Sequence, residues 1–254
     1  MATLKNTTIN DTGYIRPAVG TTAQRPGTPS AGMIRWNSTD TKMEVYNGTD
    51  WKALSQAISL QIPTDNLQLQ LEASNVSSYP GSGNIWYDVS GNSRNFTLDS
   101  SGIVWNAGGW FDLNDGGGTY TGGAITTTST GTLALWIQTT DTQSLFWSDD
   151  NNQNYIGAYR VGNKEYYNDV GSPTYYQDLV EKPNIYDNIR TGNWIFVEFK
   201  NVNFSTSGTN AYFNKYPTYA FSNSKIGAYY IYGKNLTAEE SLQLYNATKS
   251  TYGL

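Results

Sequence analysis

Two residue types are missing altogether: the 254 residues include no cysteine and no histidine. Without cysteine there is no disulfide, no thiolate nucleophile and no cysteine-ligated zinc. Without histidine the commonest general base and metal ligand are gone, which removes most hydrolase mechanisms. Charge is sparse as well, with Asp, Glu, Lys and Arg at 15% where roughly a quarter is usual. The net charge is −5 and no basic run exceeds a pair, so nothing suits a phosphate backbone and nucleic acid is not expected as a partner. Long hydrophobic runs are lacking too. Met1 to Asn10 carry no apolar core of signal-peptide length, and no later run approaches a membrane span. Synthesis in a cytoplasm, without membrane insertion, is the expectation.

What is abundant is aromatic and turn-forming. The chain holds 20 Tyr, 8 Trp and 25 Gly among many Thr, Ser and Asn, a composition of short strands joined by polar turns. Residues 1–22 are polar and lack clear periodicity. The stretch Arg25-Pro26-Gly27-Thr28-Pro29-Ser30-Ala31-Gly32 sets up a compact turn. Three strand-like runs follow at Met33–Asn37, Lys42–Tyr46 and Trp51–Leu54, the last two separated by Asn47-Gly48-Thr49-Asp50, where Asn-Gly tolerates positive φ. A three-stranded meander is therefore expected. Its solvent face would carry either Met33, Met43, Val45 and Trp51 or their neighbours Ile34, Trp36 and Tyr46.

The order Arg25-Pro26, Pro29, Gly32-Met33-Ile34-Arg35-Trp36-Asn37, Glu44-Val45-Tyr46-Asn47-Gly48 and Trp51 resembles a short module of phage tail-fibre, tail-spike and other virion proteins. The resemblance covers about a fifth of the chain. It implies attachment to other virion proteins through residues 1–54, assembly residues Arg35, Trp36, Tyr46 and Trp51, and the threefold symmetry common in phage fibres.

Residues 55–65 read as a connector ended near Pro63. Leu67, Leu69 and Leu71 then alternate with Gln68, Gln70 and Glu72, the pattern of a half-buried strand. Thr132–Thr139 and Asn193–Val202 are the clearest later strands, with Leu133, Leu135 and Ile137 on one face and Ile195, Val197 and Phe199 on another. Thr237 with Glu240 forms a capping box, so a short helix is expected to start there, with Leu242, Tyr245 and Lys249 at helical spacing and Gly253 closing it. Two strings bracket this region: Tyr79-Pro80-Gly81-Ser82-Gly83 with Trp86-Tyr87-Asp88-Val89-Ser90-Gly91-Asn92, and Asn235-Leu236-Thr237-Ala238-Glu239-Glu240 with Tyr245-Asn246-Ala247-Thr248-Lys249 and Tyr252-Gly253. Both are similar to the ends of concanavalin A-like, laminin-G-type domains. The expected fold is all-β: an N-terminal β-meander module at 1–54, a linker at 55–65, and a two-sheet jelly-roll β-sandwich at 66–254 with a short C-terminal helix.

Concanavalin A-like folds include glucanases, which use closely spaced carboxylates on one strand. Here Glu198 has Phe196 and Lys200 as same-face neighbours, and Glu165 is followed by Tyr166 and Tyr167, so no catalytic residue and no enzymatic activity are expected. No nucleophile elbow occurs, and Asp115-Gly116-Gly117-Gly118 lacks the residues of a phosphate loop. Domains of this type often bind Ca²⁺ on loops, and the candidates are Asp112, Asn114 and Asp115; Asp88 with Asn92 reads better as an Asx-turn. Sugar stacking on aromatic faces flanked by Asn, Asp and Gln makes Trp147, Tyr155, Tyr166, Tyr167, Tyr175 and Tyr176 the glycan candidates, although a β-sandwich also needs such rings for its core. The expected function is an exposed virion subunit (fibre, spike or capsid decoration) on the particle exterior, in contact with host surface polysaccharide. The alternative is a free-standing polysaccharide-binding lectin.

Overall fold

The computed structural model describes residues 16–54, 61–99, 102–114, 118–120, 130–140, 143–149, 155–159, 164–168, 171–185, 188–189, 191–204, 211–213, 215–216, 219–220 and 224–254. The chain divides into two compact units, Met1–Ser59 and Leu60–Leu254.

In the first unit the meander forms as β2 (Ile34–Asn37), β3 (Lys42–Tyr46) and β4 (Trp51–Ala53). Asn47 shapes the second turn by accepting hydrogen bonds from the Thr49 and Asp50 amides, with Gly48 at φ 106. A fourth strand, β1 (Ala18–Gly20), pairs in parallel with β2. Its three residues carry too little pattern to be seen in the sequence. Ladder register decides the faces. Ile34 opposes Val45 and Trp36 opposes Met43, whereas Arg35 opposes Glu44, which opposes Ala53, and Tyr46 opposes Trp51. One face therefore carries Val19, Ile34, Trp36, Met43 and Val45 with Lys52 beside Val45, and the other carries Arg35, Glu44, Tyr46 and Trp51.

The second unit contains β5 (Leu67–Glu72), β6 (Ile85–Trp86), β7 (Phe96–Leu98), β8 (Ile103–Asn106), β9 (Trp110–Leu113), β10 (Gly118–Tyr120), β11 (Thr130–Thr139), β12 (Gln143–Asp149), β13 (Tyr155–Tyr159), β14 (Lys164–Asn168), β15 (Gly171–Gln177), β16 (Val180–Glu181), β17 (Trp194–Asn203), β18 (Ala211–Phe213), β19 (Lys215–Tyr216), β20 (Tyr219–Ala220) and β21 (Ser224–Tyr232). One sheet runs β14-β13-β12-β18-β10-β7-β6. The other runs β16-β15-β17-β11-β21-β9-β8, with β5 also on β21. Their inner faces enclose the main core: Leu133, Leu135, Ile137, Ile195, Val197 and Phe199 from one sheet meet Trp86, Phe96, Trp147 and Phe213 from the other. The Tyr229 hydroxyl crosses between the sheets to donate to the Phe146 carbonyl at 2.7 Å. This is an all-β sandwich with a short C-terminal helix.

That helix, α1 (Ala238–Thr248), has the expected cap. Thr237 accepts from the Glu240 amide while the Glu240 carboxylate accepts from the Thr237 amide. Its buried face is Ser241, Leu244 and Thr248, while Leu242 is 48% exposed. The register is set by Thr248, whose hydroxyl accepts from the Trp136 indole at 2.8 Å. The helix and the following 3-10 turn, Lys249–Tyr252, cover Ala134, Trp136, Phe196, Tyr230 and Tyr232 on the outer face of the larger sheet. Central strands buried on both faces read as near-continuous apolar runs, as β11 and β17 do. Residues 61–65, part of the expected connector, are tied to this unit: the Gln61 carbonyl accepts from Gln243, the Pro63 carbonyl from Tyr232, and Lys234 pairs with Asp65.

Candidate functional site

The charged face of the first unit is the covered one. Residues 21–25 fold across it, with the Arg35 guanidinium donating to the Thr21 carbonyl and Asn37 exchanging hydrogen bonds with Thr22. Glu44, 1% exposed, accepts from Arg25 and Asn37 and faces Arg35 at 3.5 Å. The hydrogen bond from Arg25 holds the Glu44 carboxyl below its ordinary value, against the opposing effect of burial. Gly20 makes this packing possible, since a Cβ there would lie 2.5 Å from the Arg35 Nη2.

The expected assembly residues consequently separate. Trp36 lies on the open apolar face with Val19, Ile34, Met43 and Val45, and Val19 and Ile34 are each more than half exposed. Arg35, Tyr46 and Trp51 belong to the opposite face. Arg35 is buried within the unit, with its guanidinium 5.9 Å from the Trp51 ring, and the Tyr46 ring packs tilted against Trp51 at 5.5 Å. Arg35 is thus a structural ion-pair member and not a partner contact: reaching a neighbour would break its links to Glu44 and Thr21.

In the sandwich, two of the six glycan candidates are corrected. Trp147 is fully buried, edge-on to Phe204 in the main core, so no ring face is left for a sugar. Tyr175 is buried as well, stacked on Phe199. Tyr176 is half-buried, with its hydroxyl donating to Glu181 and the Lys200 ammonium 4.9 Å above its ring. Tyr155 sits on β13 and Tyr166 and Tyr167 on β14; their side chains lie outside the described part of the structure. Alternation sends Trp147 inward, and alternation alone does not tell a core face from a rim.

Asp88 is spent on its own loop. Its carboxylate accepts from the amides of Gln70, Ser90 and Arg94 and from the Ser90 hydroxyl, the geometry of an Asx-turn. Asn92 donates to the Leu67 and Gln68 carbonyls. Of the calcium candidates, Asp112 and Asn114 both line one cleft, while Asp115 lies outside the described residues. Among the described residues no group of three or more His, Cys, Asp or Glu side chains is placed to hold a metal ion.

Glu198 does face outward on β17 between Phe196 and Lys200, but α1 buries it to 1% exposure. Burial raises its carboxyl above the ordinary value, with Lys200 and then Ser241 opposing. A carboxylate sealed beneath a helix has no access to substrate. The Glu165 side chain lies outside the described part.

The cleft beside Asp112 was not anticipated. It has a volume of about 470 Å³ and is lined by Val104, Asp112, Asn114, Gln138, Thr139, Thr140, Gly192, Ser224 and Lys225. These residues come from four strands and the segments that flank them, spread from position 104 to position 225, and no local pattern announces them.

No family model and no curated protein matches the chain. Among solved structures it is similar to Trypanosoma rangeli sialidase in complex with sialic acid, at 13% identity and TM-score 0.41, over 75% of this chain and 34% of that one. A mutant of that sialidase displaying trans-sialidase activity gives 12% and 0.45, over 79% and 36%. The botulinum neurotoxin serotype D binding domain gives 11% and 0.44, over 73% and 52%. The chain spans between a third and about half of these proteins. Likeness of this grade assigns neither activity nor ligand to this chain.

Proposed function

We propose that this chain is a non-enzymatic, exposed structural subunit of a bacteriophage particle (fibre, spike or capsid decoration) that self-associates through its first unit, most simply as a homotrimer. One observation carries the reading. The first unit turns its charged network inward and leaves Val19, Ile34, Trp36, Met43 and Val45 as an apolar sheet face, with Ile34 51% exposed. Covering the half of such a side chain that is still exposed is worth about 1 kcal/mol, and small four-stranded sheets have little core of their own to spare. A contiguous apolar face of this kind marks an interaction surface. The resemblance of the Arg25-to-Trp51 string to a virion module supports assembly over a free-standing lectin, which has no need of the first unit. Threefold symmetry rests on that resemblance.

Sedimentation of the full chain tests this. The expected species is a trimer that Ile34→Glu and Trp36→Glu each convert to a monomer, with the near-ultraviolet circular dichroism of the sandwich unchanged. A wild-type monomer, or a trimer that survives both substitutions, refutes the reading.

A further inference from the structure

Asn47-Gly48 is the one Asn-Gly pair in the chain, and it lies in the turn between β3 and β4, where residues 47–50 are all exposed. The Asn47 side-chain oxygen accepts from the Thr49 amide at 2.9 Å and from the Asp50 amide at 2.8 Å. The Asn47 amide donates to the Asp50 carbonyl at 3.1 Å. Donors two and three residues further on curl the side chain over the Gly48 peptide, as in an Asx-turn.

The arrangement is reactive as well as stable. Among the described residues the Gly48 nitrogen donates to no acceptor. Gly48 has φ 106 and no side chain, and the space a Cβ would fill is approached only by the Ala31 Cβ, at 3.6 Å. Nothing shields the nitrogen. Two amide donors meanwhile converge on a single side-chain carbonyl oxygen. Negative charge develops on that oxygen when its carbon is attacked, and fixed amide donors stabilise such charge.

We infer that Asn47 is a site of self-modification, deamidated through attack by the Gly48 backbone nitrogen. That nitrogen loses its proton to hydroxide and forms a bond to the Asn47 side-chain carbonyl carbon. The Thr49 and Asp50 amides hold the resulting oxyanion. Its collapse breaks the Cγ–Nδ2 bond, and Nδ2 takes a proton from water and leaves as ammonia. Water then opens the cyclic imide at either carbonyl, giving an aspartyl or an isoaspartyl residue. The net change consumes one water and releases one ammonia, with no oxidant or metal. Either product adds a negative charge beside Asp50, whose carboxylate already faces Lys52 at 3.5 Å. The isoaspartyl product also lengthens the main chain of the turn that sets Tyr46 opposite Trp51, so the hairpin loosens with age. This goes beyond the assembly reading and does not depend on it, since its test reads no oligomeric state.

The full-length protein is aged in mildly alkaline buffer, digested in acid and mapped by mass spectrometry. Isoaspartate is counted with a protein isoaspartyl methyltransferase. The Asn47 peptide should gain the mass of an amide-to-acid change and accept methyl groups. Its rate should be about tenfold or more above that of the same chain held unfolded in urea, because the fold supplies both the alignment and the donors. Thr49→Pro, which deletes one of the two donors, should slow the folded rate. No conversion at Asn47 overturns the inference. So does a rate no faster than in urea, or a Thr49→Pro rate equal to wild type. Should Thr49→Pro fail to fold, the comparison of folded with unfolded wild type still decides.

Discussion

The Arg25 guanidinium grips the Glu44 carboxylate across 19 residues of sequence, with Nη2 2.5 Å from Oε2 and Nε 3.2 Å from Oε1. Because Arg35 faces the same carboxylate from the sheet, removing Glu44 leaves a buried guanidinium without its counter-charge. The cover is one segment thick and solvent still screens it, so Glu44→Gln is expected to destabilise the first unit by about 1–3 kcal/mol. The pH dependence follows from the sign. A lowered carboxyl contributes stability above the ordinary glutamate value of 4.5 and loses it as pH falls through the lowered value. Tryptophan fluorescence during acid titration should show a step in wild type that is absent in Glu44→Gln. Identical acid profiles would show that the network contributes nothing.

Glu198 behaves in the opposite sense. Its two oxygens and the Ser241 hydroxyl on α1 are buried without a hydrogen bond of good geometry, and burial raises its carboxyl. The stability contributed by the protonated acid is complete below 4.5 and is lost as pH rises through the raised value. Glu198→Gln keeps the shape without the charge. Urea unfolding should show the variant gaining on wild type as pH increases, with no gain in acid. A gain independent of pH would exclude this cause.

Trp147 and Tyr176, proposed together from sequence as glycan contacts, should separate in stability. Trp147→Ala empties a core position beside Phe204 and is expected to cost about 3–5 kcal/mol. Tyr176→Ala loses a half-buried ring and an exposed hydrogen bond, costing about 1 kcal/mol. Equal losses in thermal unfolding would contradict the burial.

Gly227 allows the chain end to dock. A Cβ there would lie 2.3 Å from Tyr252 Cε1 and 2.5 Å from its hydroxyl oxygen. Tyr252 in turn stacks on Trp136 at 4.6 Å and packs against Trp194 at 4.7 Å. Gly227→Ala is expected to cost about 1–3 kcal/mol by displacing that ring. In a Tyr252→Ala background the same change should cost little, because the clash is gone. Additive losses in the double-mutant cycle would place the cost elsewhere.

Local chemistry was legible without coordinates. The Asn47-Gly48 turn, the Thr237–Glu240 cap, the alternation of Leu67, Leu69 and Leu71 and the inward set Leu133, Leu135 and Ile137 all follow from steric and hydrogen-bonding rules acting within a few residues. Alternation says which side chains share a face, but not what covers that face. Only tertiary structure decided that Arg35 faces inward while Ile34 and Trp36 face out, because the segment at 21–25 folds over the charged side. It also decided that Trp147 is core, because the second sheet closes over it, and that α1 seals Glu198. The cleft at Asp112 required the most. Its floor comes from positions 104, 112, 138 and 225, and strand order between segments so far apart is set by how two sheets bury their shared core, which no window of sequence contains.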